Sequence, residues 1–403
     1  MYQFFGNYYF YLKGVKVRLF LQANDTFFFR DGRPFTKGDQ SEGYSIFPPL
    51  PSTILGALRT AYIAEHGDLS AFYAGKMAMT IGTPNSLGSI NLNGVFLADR
   101  ESTIYYPIPL DLVVKKNETA NKLYILEVGT ESSNHSSNAS LPCLLKWFSA
   151  EDVESETNGR LEGIVMTEYL LSRHKEFDFR PIEDFVRSEP KIGIERDYRT
   201  SAAKDNMLYR INLSRFQSQF IKTKERKALS DLGFVVDYEC DIELPENGML
   251  KLGGEGKSFT YKQSFYNPDP LAAEEDMAAL KETISSSGVF KLYFATPAIF
   301  NHGWLPEWID KTTYNAQYDS LSFELITAAV GKPIAIGGWD MKKNMPKPTY
   351  QAIPAGSVYY FKISDGSCID SIVNTFHYKN ISDRQAKEGF GLCFVAVSNG
   401  NRT

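Results

Sequence analysis

Two arginines flank a turn beside three consecutive phenylalanines in the stretch from Asp25 to Gly67: Arg30 and Arg33 stand on either side of Asp31-Gly32. Guanidinium groups neutralise phosphates, and their planar fork does so with fixed geometry. A proline-stiffened approach, Pro48-Pro49-Leu50-Pro51, then delivers Ser52 and Thr53 to the start of a helix. Ser52 reads as the N-cap, its hydroxyl accepting a bond from an otherwise unpaired amide of the first turn. Gly56 removes a side chain, so that another backbone can come close, and Arg59 follows on the same helix. Such a helix start offers free N–H groups and a partial positive charge, which suits a phosphate. The same residues also describe a capped core helix after a surface loop, and both readings stand.

A second group of candidates lies further along. Residues 187–227 carry eleven Lys or Arg against five Asp or Glu, a local +6. The total is −5, so the rest of the chain carries −11. A basic strip on an acidic body fits one confined RNA path and leaves other surfaces for protein partners. A solvated charged face is the plain alternative. Within the strip Lys191, Arg196, Tyr198 and Arg199 supply cations and one aromatic ring at a hairpin and its polar tip.

Catalytic patterns are missing. No HExxH, GxSxG, HD-type pair or GGDD core occurs, and the five histidines are scattered. His66, near the end of the first helix, is the candidate general base or acid to test, but no second group stands near it in sequence to orient it. The LKLGGEGK stretch superficially resembles a P-loop, and its register fails: with Gly256-Lys257-Ser258 as the closing G-K-S, the required first glycine falls on Lys251. Asp237, Glu239, Asp241 and Glu243 alternate along one strand and read as an outward or partner-docking face, with no His and no converging loop to make a metal site. The four cysteines are far apart and read as reduced, partly buried thiols. No metal and no cofactor is expected.

The elements that position these groups follow from periodicity. At 403 residues the chain has room for two domains. Val15, Val17, Leu19, Leu21 and Ala23 alternate with Lys16, Arg18, Phe20 and Gln22, which predicts a strand covered on one side. The helix after it ends near Gly67. Residues 92–98 and 102–108 predict a hairpin around Asp99-Arg100. Strand, helix, strand, strand opens a ferredoxin-like unit, whose second sheet face lies open in RNA-recognition modules. Residues 111–160 are polar and turn-rich and read as flexible insertions around short ordered pieces, Leu123–Val128 and Cys143–Phe148. Helical segments near 164–172 and 182–186 lead into the basic strip, where residues 192–195 and 207–212 form two strands. Residues 272–285 are helical, and 393–397 close the chain as a strand. No stretch reaches the roughly 18 apolar residues of a membrane helix. The aromatic start has no basic n-region or cleavage site, so the cytoplasm is the expected compartment.

The run D-x-x-F-F-R-D-x-x-P-F followed by F-P-x-x-P-S-T-x-x-G-A-L-R, carried by Asp25 to Phe35 and Phe47 to Arg59, resembles the N-terminal region of CRISPR-associated RAMP proteins. More narrowly, it resembles the type III-B (Cmr) subunit group that holds the 5′ repeat-derived handle of the guide RNA (crRNA). The basic strip resembles the RAMP β-hairpin thumb, with Lys191 where an Arg is commoner and Glu195-Arg196 in place of the usual acidic-basic pair. LGGE with Gly253 and Gly254, the F-A-T-P-A-I-F-N-H-G-W run, Gly337-Gly338-Trp339-Asp340 with Pro346-Lys347-Pro348, the I-P-A-G-S-V-Y run, and Gly389-Phe390-Gly391-Leu392 extend the likeness. It covers residues 15–110 and 187–397 and leaves the polar insertion outside.

The resemblance implies an α+β protein of two ferredoxin-like (RRM-like) domains packed together, with a β-hairpin thumb and a polar insertion. The expected domains are 1–245, with the insertion at about 111–160 and the thumb at about 187–227, and 246–403 with glycine-rich loops. It implies a non-catalytic RNA-binding subunit of a Cmr ribonucleoprotein in antiviral defence. Its partners would be the crRNA 5′ handle, the large cyclase-like subunit and the backbone RAMP subunit. Arg30, Arg33, Arg59, Lys191, Arg196, Arg199 and Lys347 would neutralise phosphates. Ser52, Thr53, Gly56, Gly253, Gly254, Gly337, Gly338, Gly389 and Gly391 would offer amides or close approach, and Tyr198 a stacking ring. A RAMP-fold crRNA-processing endoribonuclease, a purely structural assembly subunit, and the type III-A counterpart are the alternatives.

Overall fold

The computed structural model describes residues 15–30, 42–43, 45–130, 141–200, 202–217, 229, 231–241, 244–340, 342–364 and 368–398. Strand outweighs helix, 42% against 17%, and the sheets are mostly antiparallel, so the chain is α+β.

The alternating start forms β1 (Val15–Ala23), and α1 (Pro51–His66) buries Ile54, Leu58 and Tyr62 in one cluster with Leu19 and Leu21 of that strand. β2 (Asn91–Ala98) and β3 (Ile104–Pro107) pair as the expected hairpin. The chain then passes through β4 (Gly159–Glu162), α2 (Gly163–Leu170), β5 (Val186–Arg196) and β6 (Ala203–Phe216). It returns as β7 (Gly233–Cys240), β8 (Asn247–Lys251) and β9 (Ser258–Gln263). β1 lies between β7 and β9, with β2 beyond β7, every neighbour antiparallel. Strands β8 and β9 extend this first sheet past residue 245.

The second sheet is built from β10 (Val289–Phe294), β11 (Leu321–Ala329), β12 (Val358–Ile363) and β13 (Leu392–Val397). β10 lies between β12 and β13, with β11 beyond β12. Two helices, α3 (Glu274–Ser287) and α4 (Ile369–Phe376), bury Leu280, Ile284, Ile372 and Phe376 in the same cluster as Phe290 and Phe361. Both sheets therefore share one strand order. A complete ferredoxin-like unit carries a helix in each of its two crossovers. Among the described residues, the first sheet has α1 in its first crossover and β8 in place of the other helix. The second sheet has α4 in its second crossover only.

Three expectations change. The face of the first sheet turned away from α1 is covered, not open: Phe20, Phe96 and Val235 join the core cluster of the second lobe, and Phe96 stacks on Tyr378 with centroids 6.4 Å apart. The acidic row is not a surface feature at Asp237, which is fully buried between Lys16 (3.3 Å) and Arg18 (3.2 Å) and accepts the Tyr378 hydroxyl at 2.7 Å. A buried carboxylate persists only with such partners. Glu243 lies outside the described residues. The described part of the polar insertion forms strands. Leu112–Lys115, Lys122–Ile125 and Val153–Ser155 form a sheet with Glu176–Asp178, and Glu127–Thr130 pairs with Cys143–Lys146. Its Leu112, Leu123, Ile125 and Val128 are buried in the main core, which is enough apolar surface to hold short strands between polar turns.

Candidate nucleic-acid interface

Among the described residues the longest hairpin is the one the resemblance reads as a thumb, β5 with β6. β5 and β6 pair antiparallel from Val186↔Phe216 outward, with a register shift between Ile194 and Arg196. Its strands are longer than the sequence pattern indicates. Asp197 Oδ1 accepts the amides of Arg199 (2.8 Å) and Thr200 (3.2 Å), which closes the tip as an Asx-type turn. That turn leaves Arg196, Tyr198 and Arg199 exposed, Tyr198 completely so. Ile192 and Ile194 are also exposed on the same strand.

The base of the thumb meets the phenylalanine stretch. Phe27 and Ser214 exchange two backbone bonds of 2.7 Å, and Phe28 is buried with Ile211 and Leu213. The glycine loop after β8 joins them. Gly253 has φ +86°, and a Cβ there would lie 2.5 Å from the Phe28 carbonyl oxygen. Only glycine fits that approach. The Gly254 amide donates to the same oxygen at 2.8 Å, so this amide is engaged by the protein. Lys191 reaches across to Glu255 at 3.0 Å. Arg30 is exposed at the end of the stretch, where it bridges to Ser45. Arg33 lies outside the described residues. The structure thus brings Arg30, Lys191, Gly253 and Gly254 together at one end of the thumb.

Arg215 and Lys257, which motif reading passed over, hold this corner. Arg215 pairs with Asp25 (3.0 Å) and Glu189 (2.8 Å), and Lys257 Nζ donates to Thr26 Oγ1 at 2.7 Å. The backbone amide of Thr26 is the main influence that holds the Asp25 carboxyl below its ordinary range; burial opposes it, and Lys257 and Arg215 add to the lowering. Their signal was the charge alternation of a strand edge, which surface ion pairs mimic everywhere.

The helix start differs from expectation. Leu50, not Ser52, is the N-cap, because Pro51 takes the first helical position, where a missing N–H costs nothing. Ser52 and Thr53 are half-buried inside the first turn, and the Thr53 amide donates to Leu50 O at 2.9 Å. Gly56 is exposed, and among the described residues no backbone approaches it: the space a Cβ would take is empty to 4 Å. Arg59 is a structural group. Its Nε donates to Ile81 O (2.9 Å) and its Nη2 to Thr83 O (2.5 Å), with the guanidinium over the Phe72 ring. Burial lowers its pKa, partly offset by Glu388.

Gly389 stands against this helix start and its carbonyl accepts Thr296 Oγ1 at 2.9 Å. Gly391, at φ +77°, would place a Cβ 2.5 Å from the Ser382 amide nitrogen, and its own amide donates to Pro297 O. Gly389 therefore stands where the two lobes meet, while Gly391 closes a turn within the second lobe. Gly337 is half-buried and Gly338 and Lys347 are exposed, joined by a bond from Lys347 N to Gly338 O (2.9 Å) at a small hairpin. Lys347 and Arg59 both act on Glu388, whose carboxyl burial pushes up. The Phe27–Phe47 ring contact, 6.1 Å between centroids, ties this second group of candidates to the first. His66 stacks on Tyr62 at 6.0 Å. Among the described residues no cluster of His, Cys, Asp or Glu has metal-ligating geometry, all four cysteines are free thiols, and no helix is long and apolar enough to cross a membrane.

The structure is thus an α+β chain with a long exposed hairpin and a glycine loop locked against the base of that hairpin. Residues 19–397 match the family described as CRISPR-associated protein (Cas_Cmr3). The chain therefore belongs to the Cas_Cmr3 family and is a Cmr subunit. No curated protein matches it. Among solved structures it is similar to a chain of the cryo-EM structure of type III-B Cmr-beta bound to cognate target RNA and AMPPnP (state 1), at 13% identity and TM-score 0.47, covering 89% of this chain and 88% of that one. A chain of Cmr-beta bound to cognate target RNA gives 14% identity, TM-score 0.47 and the same coverage. A chain of the apo state gives 11% identity and TM-score 0.27, covering 62% of this chain and 97% of that one.

Proposed function

We propose that this protein is the non-catalytic subunit of a type III-B Cmr ribonucleoprotein that holds the 5′ handle of the crRNA and caps that end of the particle. Family membership sets the context. The observation that carries the reading is the thumb, which presents Arg196, Tyr198 and Arg199 to solvent on a hairpin braced by Phe27, Ser214 and the Gly253-Gly254 loop. Cations there neutralise phosphates, and an exposed ring stacks a splayed base without selecting its identity. Lys191 and Arg30 extend the positive path along the thumb base, and Lys347, Ser52 and Thr53 form the second contact area. Arg59 and the amide of Gly254 support these surfaces from within. The large cyclase-like subunit and the first backbone RAMP subunit are the expected neighbours. We read each lobe as a ferredoxin-like unit that keeps one of its two crossover helices, with the division between them after β9.

The test is handle binding by the assembled complex with Arg196→Glu and Arg199→Glu. A fall of at least about tenfold, about 1.4 kcal/mol, supports the reading, and unchanged binding assigns the chain to scaffolding. Cleavage of precursor repeat RNA by the purified protein, lost on His66→Ala, would replace it with a processing endoribonuclease.

A further inference from the structure

A cleft of about 1050 Å³ runs between the two lobes, walled by Pro48, Leu50, Leu110, Pro297, Ile334 and Pro354. Arg160, on β4, lines it and is only 7% exposed. Among the described residues its one side-chain bond is from Nη1 to the carbonyl of its own neighbour, Gly159, at 2.6 Å. No carboxylate among the described residues pairs with it: Asp111, a fully buried carboxylate of the lobe boundary, is taken by Lys291, Tyr169 and Tyr360. Burial drives the guanidinium down to about 10, and Tyr293 acts against that shift. Buried charges in native proteins are paired, so a buried arginine lining a cleft with no carboxylate opposite it among the described residues marks a missing anion.

Two features select the anion. A nucleic-acid strand brings a negative charge with every nucleotide, whereas the lining offers Arg160 and one rim cation, Lys332. Bases need free rings to stack on, whereas Phe47, Phe96 and Tyr105 of the lining are already packed against Phe27, Tyr106 and Phe185. Aliphatic and proline walls around one deep cation fit an extended peptide with a single acidic side chain. We propose that the inter-lobe cleft receives an apolar segment of a protein partner and that Arg160 binds its Asp or Glu carboxylate. The proposal rests on the chain working within a Cmr assembly.

The experiment uses the complex reconstituted from purified subunits and guide RNA, with p-benzoylphenylalanine in place of Lys332 at the rim. After irradiation, mass spectrometry is expected to place the adduct on another protein subunit, within a few residues of an Asp or Glu. Arg160→Gln is expected to lower the adduct yield at least about fivefold while guide RNA content stays unchanged. Arg160→Lys is expected to keep part of the yield. Ala335→Trp, which fills the cleft without removing the charge, is expected to lower the yield as much. An adduct on RNA or on this chain overturns the proposal, as does no adduct, or a yield insensitive to both Arg160→Gln and Ala335→Trp. A wild-type chain that fails to assemble overturns the functional reading and this proposal with it; assembly without the expected adduct overturns the proposal alone.

Discussion

Lys291 Nζ lies 3.3 Å from Asp111 Oδ2, and both side chains are fully buried. The pair joins β10 of the second lobe to the edge of the insertion, and Tyr169 and Tyr360 complete the carboxylate with hydroxyl bonds of 2.7 and 2.6 Å. Burial lowers the Lys291 pKa, and Asp111 acts against that shift. The pair fastens the insertion to the body even though the insertion's sequence is mostly polar.

Removing one partner leaves the other charge buried and uncompensated, which costs about 3–5 kcal/mol in comparable sites. Lys291→Met is therefore expected to lower stability by that order in urea denaturation followed by tryptophan fluorescence. Adding Asp111→Asn is expected to recover part of the loss. A single variant as stable as the parent would show that the pair contributes nothing.

Two glycines of the candidate interface should respond with opposite signs. At Gly253 a Cβ meets the Phe28 carbonyl and φ is positive, so Gly253→Ala is expected to cost about 1–3 kcal/mol. At Gly56 the space is empty and the position is helical, so Gly56→Ala is expected to stabilise by about 0.5–1 kcal/mol. Denaturation midpoints of the two variants, measured side by side, check both.

Asp269 Oδ1 lies 3.0 Å from His377 Nε2. Burial pushes this carboxyl up, but the His377 bond and charge, the Leu271 amide and Lys16 outweigh it and hold the pKa below the ordinary value of 3.8. A carboxylate depressed in the folded state contributes stability above its unfolded pKa and loses it as pH falls through the folded value. The destabilisation caused by Asp269→Asn is therefore expected to be full near neutral pH and to shrink as pH drops below about 4. Stability curves of both proteins over that range would show the difference narrowing; a difference that widened would reverse the sign.

Local pattern made much of the framework legible. Alternation from Val15 to Ala23, the helix ending at Gly67, the hairpin around Asp99 and the closing strand all occur where periodicity puts them. What failed was tertiary. Lys16, Arg18 and Asp237 look like exposed strand residues; they meet on one face of the first sheet, and Tyr378 of the second lobe bonds to Asp237 there. Ser52 satisfies the N-cap preference, but Pro51 can stand only at the first helical position, which shifts the cap to Leu50. Arg59 and Arg199 are alike as letters; one is bonded to loop carbonyls and the other points to solvent. Arg160 gave no signal at all, since an arginine in a polar stretch is buried only by elements far away in sequence.

The thumb tip separates stacking from charge. Tyr198 is held out by the turn that Asp197 closes, and its ring has solvent on every side. Base–aromatic stacking contributes about 1–3 kcal/mol per base. Tyr198→Ala is therefore expected to weaken handle binding by roughly 5- to 150-fold, and Tyr198→Trp to retain it. Because a phenol ring neutralises no phosphate, the salt dependence of binding should keep its slope in Tyr198→Ala. In Arg199→Ala the slope should fall by about 0.7 for each single-strand phosphate that the guanidinium no longer neutralises. Fluorescence anisotropy of a labelled handle oligonucleotide at several salt concentrations reads both quantities. Equal slopes in the two variants would mean that Arg199 touches no phosphate, and undiminished affinity in Tyr198→Ala would mean that no base stacks at the tip.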